Sequence, residues 1–147
     1  MASNVSPNEL IKVVEDWYSK LPPLPKNWTE VIANITPWIA LIFGILGVLA
    51  SLAAAGILTV LSPAVIMGAG VGAASSGIIG AILALVSSAL LLAAFPGTKA
   101  RKLSGWNLLF WSEIVSAVGS VVALSLGGVI GVLIGLYILF QIKVHYK

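Results

Sequence analysis

The sequence predicts an all-α polytopic membrane protein: a four-helix transmembrane bundle over residues 37–147, preceded in 1–36 by an interfacial amphipathic helix and a proline-rich linker. Three observations lead there. From residue 31 to residue 98 no side chain is charged, and apolar stretches of about 18 residues or more indicate membrane spans. Of the 147 residues, 59% are hydrophobic and 9% charged, whereas a soluble domain carries about 25% charged residues. The basic residues past Lys26 fall in two short clusters, Lys99–Lys102 and Lys143–Lys147, and such clusters set the orientation of spans.

The first helix begins at Ser6-Pro7-Asn8-Glu9. Serine can cap, proline is tolerated at the first helical position, and glutamate three residues on can close a capping box. The spacing predicts an amphipathic helix over Pro7–Lys20, with Leu10, Val14, Trp17 and Leu21 on one side. Glu9, Lys12, Glu15, Asp16 and Lys20 lie mostly opposite. Such a helix suits a membrane surface, a partner, or its own bundle. Leu21-Pro22-Pro23-Leu24-Pro25-Lys26 favours an extended polyproline conformation and serves as a stiff spacer or as a ligand for a proline-recognition groove. This N-terminal segment lacks the short basic start and apolar stretch of a cleavable signal peptide, so insertion is expected to use the first span.

Asn27-Trp28-Thr29-Glu30 has a second cap-like spacing, and Pro37 is expected to kink or start the next helix. Span one is expected over about 37–61, ended by Ser62-Pro63, and span two over about 75–95, stopped by Pro96-Gly97. Residues 106–142 as one helix would be about 55 Å long, against a hydrocarbon core of about 30 Å. A break at Ser125-Leu126-Gly127-Gly128 gives two spans, about 106–124 and 127–142, with a re-entrant hairpin as the alternative. Four spans place the N-terminal segment, the Lys99–Lys102 loop and the tail on one side, and the uncharged turns near Pro63 and Ser125 on the other. The positive-inside rule then makes both termini cytoplasmic. Trp28, Trp38, Trp106, Trp111 and Tyr146 fall near that face, as interfacial aromatic rings do.

Span two carries small residues at spacing four: Gly68, Gly72, Ser76, Gly80, Ala84 and Ser88. Gly127, Gly131 and Gly135 repeat the spacing in span four, and Gly44, Gly47, Ser51 and Ala54 form a looser version in span one. Small residues four apart let helices approach closely in lipid. The stripes fit packing of one bundle or assembly of a homo-oligomer.

Glu113 is the only acid after Glu30. It lies seven residues past Trp106, about 10 Å along the helix, where a carboxylate is costly unless paired, hydrated or protonated. Counting from the basic ends, Tyr137 is about 9 Å deep and Ser88 about 12 Å deep. Glu113, Tyr137 and Ser88 are therefore expected to form one polar layer inside the bundle, with Ser112 and Ser116 flanking the acid. The layer is a structural hydrogen-bond set or a site for a proton or cation.

Other chemistry is sparse. There is no cysteine, which excludes disulfides, thiol catalysis and sulfur-ligated metals. His145 is the only histidine, and a metal site needs several ligands. No nucleophile–base pair or phosphate loop can be assembled, and Gly68-Ala69-Gly70-Val71-Gly72 lacks dinucleotide-binding spacing. The Asn-x-Ser/Thr triplets at Asn4, Asn27 and Asn34 are read as caps or chance, because the expected orientation keeps them from glycosylation. The net charge of +3 points to anionic headgroups, through Lys99, Arg101, Lys102 and Lys143, and not to nucleic acid. No metal, cofactor or enzymatic activity is expected. The expected role is structural or accessory, with the bilayer, a protein partner or further copies as partners. A small oligomeric channel or holin-like pore, with Glu113 near a polar pathway, is the alternative.

The segment FPGTKARKLSGWNLLFWSEIVS (95–116) together with the ending YILFQIKVHYK (137–147) resembles small uncharacterised four-span proteins of candidate-phyla bacteria. The resemblance implies a bacterial inner membrane and no particular chemistry.

Overall fold

The structure is a computed structural model describing residues 6–147, and among these every regular element is helical. The elements are α1 (Pro7–Ser19), α2 (Lys26–Ala69), α3 (Val71–Lys99), α4 (Leu103–Val122), α5 (Leu126–Ile142) and a closing 3₁₀ turn (Lys143–His145). The triplet beginning at Asn4 lies outside the described residues. Three helical stretches are long and apolar enough to cross a membrane: Lys26–Ala69, Ser75–Lys99 and Leu126–His145.

Helix α2 is 44 residues long, about 66 Å, and neither Pro37 nor Ser62-Pro63 ends it. This corrects the expected limits of span one. Proline removes one backbone hydrogen bond, but in apolar surroundings a full break would orphan several more. The carbonyl left without its usual donor by Pro63 is that of Thr59, and the Ser62 hydroxyl donates to it at 3.0 Å. The chain turns at Gly70 instead, whose φ of 85° is open to glycine and strained for other residues. Helix α3 likewise begins at Val71 and passes through Pro96-Gly97 to Lys99.

The two turns flanking α4 share one geometry. Lys102 N–H donates to the Gly97 carbonyl and Arg101 N–H to the Thr98 carbonyl. After α4, Ser125 N–H donates to the Ser120 carbonyl and Leu124 N–H to the Val121 carbonyl. Both are Schellman endings, with Arg101 (φ 55°) and Leu124 (φ 50°) in the left-handed position where glycine is usual. The break near residue 125 is thus made by Leu124 and by the Ser125 side chain, which accepts from Gly128 N–H at 3.1 Å.

The helices pack in chain order, α2 along α3, α3 along α4 and α4 along α5, while α2 and α5 touch only sparsely. Helix α4 contributes the largest buried side chains of the core: Trp106 and Phe110 are fully buried, and Leu109 and Ser112 are buried beside them. That explains why it is the least apolar of the four, since a helix facing other helices can carry Asn107, Glu113 and four serines. The indole of Trp106 is fully buried and donates to the Leu139 carbonyl at 2.8 Å. It stacks with Phe110 and meets Phe140 edge-on, at 5.8 and 5.3 Å between centroids. Trp106 is therefore a core anchor and no headgroup residue, and Tyr146 is buried too, whereas Trp28 and Trp38 stay exposed.

The α4–α5 turn lies beside Gly80 of α3, so the α2–α3 hairpin continues about 14 Å beyond it. The amphipathic helix α1 packs on α5. Ile11 is buried, and Val14 and Tyr18 join the core, while Trp17 is 73% exposed. The apolar side of α1 is thus split: one half faces α5, and the half bearing Leu10, Val13 and Trp17 is open.

Candidate functional site

Helix α4 carries different chemistry on its two sides. Toward α3 it presents Ser112 and Ser116, which meet Ser87. The Ser87 hydroxyl lies 3.0 Å from the Ser112 hydroxyl and 2.6 Å from that of Ser116. The Ser112 hydroxyl donates to the Ser87 carbonyl at 3.0 Å. Ser87 and Ser112 are buried, so this is a satisfied polar seam of the kind that joins membrane helices.

Toward α5, one residue on and about 100° around the helix from Ser112, α4 presents Glu113. Its carboxylate lies flat on Gly135: a side-chain carbon added there would be 2.9 Å from Oε1 and 3.0 Å from Oε2. A side chain there would displace the carboxylate. The acid is half-buried and has no hydrogen-bond or ion-pair partner among the described residues. The ion pairs described are Lys143–Glu15 at 2.6 Å and Lys20–Asp16 at 3.8 Å. Glu113 lines a cavity of about 450 Å³, bounded by Ile39 and Phe43 of α2, Leu91 of α3, Leu109 of α4 and Ile138 of α5.

The residues of the expected polar layer do not bond to one another. The Tyr137 hydroxyl donates to the Pro22 carbonyl at 2.6 Å, pinning the linker, and the Ser88 hydroxyl donates to Ala84 of its own helix at 2.7 Å. The serine that reaches α4 is Ser87. Adjacent serines differ by about 100° around a helix, and depth along the axis cannot tell them apart. On the α1 side, the Tyr18 hydroxyl donates to the Leu133 carbonyl at 3.1 Å. Burial pushes the Tyr18 phenol above its ordinary value, and the charge of Glu113 adds to the shift.

The small-residue stripes divide. Gly135 holds Glu113, but Gly68, Gly72, Gly80, Gly127 and Gly131 have open space where a side chain would go. Ser76 and Ala84 lie on the same α3 stripe, and Ala84 is exposed beside the α4–α5 turn. Close helix approach runs through other glycines. A carbon added to Gly97 would lie 2.7 Å from the Gly105 Cα, and one added to Gly44 would lie 2.7 Å from Leu92. Gly47 abuts Ser88 in the same way.

The basic residues gather at one end. Lys99 sits over the rings of Trp38 and Phe95, at 5.5 and 5.7 Å. Arg101 hydrogen-bonds Asn34 and lies 6.0 Å from the Tyr146 ring. Lys143 is engaged by Glu15 and by the Trp106 ring at 5.1 Å, and Lys102 is exposed. The tail closes on the loop: Leu103 N–H donates to the Lys147 carbonyl and Lys147 N–H to that of Arg101. His145 meets the Thr29 hydroxyl at 3.1 Å. Burial raises the Tyr146 phenol above its ordinary value, partly offset by Arg101 and by the Thr36 hydroxyl.

No family model, curated protein or solved structure matches this chain.

Proposed function

We propose that the chain is a four-span protein of a bacterial inner membrane, with both termini cytoplasmic and a structural or accessory role that is not enzymatic. The supporting observation is charge placement along the packed helices. Helix α4 runs the full length between the basic loop and the uncharged turn at Leu124, and Glu113 is the single charge between Lys102 and Lys143. A polar α4 crosses as an interior helix, its Ser112, Ser116 and Glu113 turned toward neighbours. Helices α2 and α3, at 44 and 29 residues, are longer than tilt alone fits into the hydrocarbon, so their ends extend past it. The cytoplasmic end then presents the basic loop to anionic lipid and the open half of α1 to lipid or to a protein partner.

The cysteine-free chain makes the topology directly testable with single-cysteine variants and an impermeant thiol reagent. Lys102→Cys and Val144→Cys should label from one side, and Met67→Cys and Leu124→Cys from the other. Labelling of Lys102→Cys and Val144→Cys from opposite sides would end the four-span reading. Purification from native membranes in mild detergent tests the accessory role, which predicts a partner at fixed stoichiometry.

A second reading, a small oligomeric pore, is favoured by the open glycines Gly68, Gly72, Gly127 and Gly131. It predicts ion flux in liposomes that Gly127→Leu with Gly131→Leu abolishes.

A further inference from the structure

The cavity beside Glu113 exists because the row of helices does not close. Helices α2 and α5 flank it and touch each other only sparsely. Leu91 and Leu109 of the helices behind contribute to its lining. Its outer lip is open, with Phe43 61% and Ile39 46% exposed. On α5 the lining extends from Gly135 to Ile142, about 10 Å along the axis. The volume of about 450 Å³ lies within the range of small-molecule sites, about 300–1,000 Å³.

Its chemistry is one-sided. The walls are aliphatic with one aromatic ring, Phe43, and the Thr36 hydroxyl is committed to the Ile32 carbonyl at 2.7 Å. The Glu113 carboxylate is the only charge on the lining. Lys143, the basic residue of α5's end, is held by Glu15. A lipid acyl chain would fill the slot and leave the acid unpaired, at the cost such a group carries in hydrocarbon. An amine or quaternary ammonium with an apolar body would answer both features, its charge on the carboxylate and its body on Phe43, Ile39 and Ile138. The aromatic face adds attraction for a cation.

We propose that the slot between α2 and α5 is a binding site for lipophilic organic cations, with Glu113 as the counter-ion and Gly135 as the notch that seats it. The site goes beyond a structural or accessory role, and its binding in detergent is measured independently of membrane topology.

The probe is benzyltrimethylammonium, with its neutral carbon isostere as control, titrated into the full chain in non-ionic detergent. Saturable binding of the cation is expected, at least about tenfold weaker in Glu113→Gln, which is a difference of about 1.4 kcal/mol. Glu113→Asp should retain most of it. Gly135→Ala, which pushes against the carboxylate, should weaken it without removing the charge. The isostere should bind wild type and Glu113→Gln alike. Should a variant fail to fold, the unmodified protein supplies the readout: carbodiimide labelling of Glu113 should be slowed by the cation and not by the isostere. Equal cation affinity in wild type and Glu113→Gln, equal protection by the isostere, or non-saturable uptake of the cation would each overturn the proposal.

Discussion

At the α3–α4 crossing, Gly97 and Gly105 bring two backbones into contact. At the tip of the α2–α3 hairpin, Gly68 and Gly72 stand equally free of side chains and face open space. Both regions are rich in small residues, so composition alone does not make a helix contact. The difference lies in what surrounds the glycines. The crossing is fixed by the buried Trp106 and Phe110, by the Schellman turn at Arg101, and by the tail strapped across the loop. The tip extends beyond the α4–α5 turn and has no third helix to press against. Small residues permit close approach, and large buried neighbours compel it.

The widest test sets Gly105→Leu against Gly68→Leu. A side chain at Gly105 would overlap the backbone of Gly97 and Thr98, and the expected loss is about 3 kcal/mol, at the upper end of what overpacking costs. Gly68→Leu meets nothing and should gain up to about 1 kcal/mol in helix propensity. Thermal unfolding in detergent reads both. Equal losses would remove the contrast between crossing and tip.

Next come the tryptophans. Trp106→Phe gives up the indole hydrogen bond to Leu139 and part of the core volume, an expected loss of about 1–3 kcal/mol. Trp28→Phe, on an exposed ring, should stay within about 0.5 kcal/mol of wild type. A matching loss at Trp28 would mean that the exposed ring is buried in solution by a partner or a second copy.

How much of this the sequence discloses depends on whether the signal lies along the chain or around it. The three long apolar helices and α1 follow from charge gaps and spacing, which are properties of position along the chain. The ends of α2 and α3 do not, because proline marks a helix end in water, where freed carbonyls are hydrated. In an apolar setting Ser62 serves Thr59 and the helix continues. The unusual acid, Glu113, is likewise visible as the only charge in its run. Its neighbours are not, since Ser87 and Ser88 differ chiefly in azimuth, and Gly131 and Gly135 share one face and differ by a single turn. Tyr137 has the right depth, yet its hydroxyl serves Pro22, a partner 115 residues away that no local pattern announces.

The two Schellman turns offer a smaller contrast. Leu124 is 88% exposed with φ 50°, and a left-handed conformation costs a side-chain-bearing residue roughly 1–2 kcal/mol. Leu124→Gly should therefore stabilise the chain by about 1 kcal/mol. Arg101→Gly relieves the same backbone cost but gives up the contacts to Asn34 and Tyr146, so its gain should be smaller. If Arg101→Gly gains as much as Leu124→Gly, the guanidinium contacts contribute nothing to stability.

The finest test concerns Tyr146, where the crossing meets the tail. Its hydroxyl is buried and makes no well-formed hydrogen bond. Burial favours the neutral phenol, so its folded-state pKa lies above the ordinary value of 10.0. Such a group contributes its full stabilisation below the unfolded value and loses it as pH rises through the folded value. Wild type should therefore lose stability across about pH 9–11 more steeply than Tyr146→Phe. Near neutral pH the variant should be as stable as wild type or slightly more so, because an unsatisfied buried hydroxyl is removed. A clear loss at neutral pH in Tyr146→Phe would show that the hydroxyl is held by a bond, with Thr36 the first residue to test as its partner.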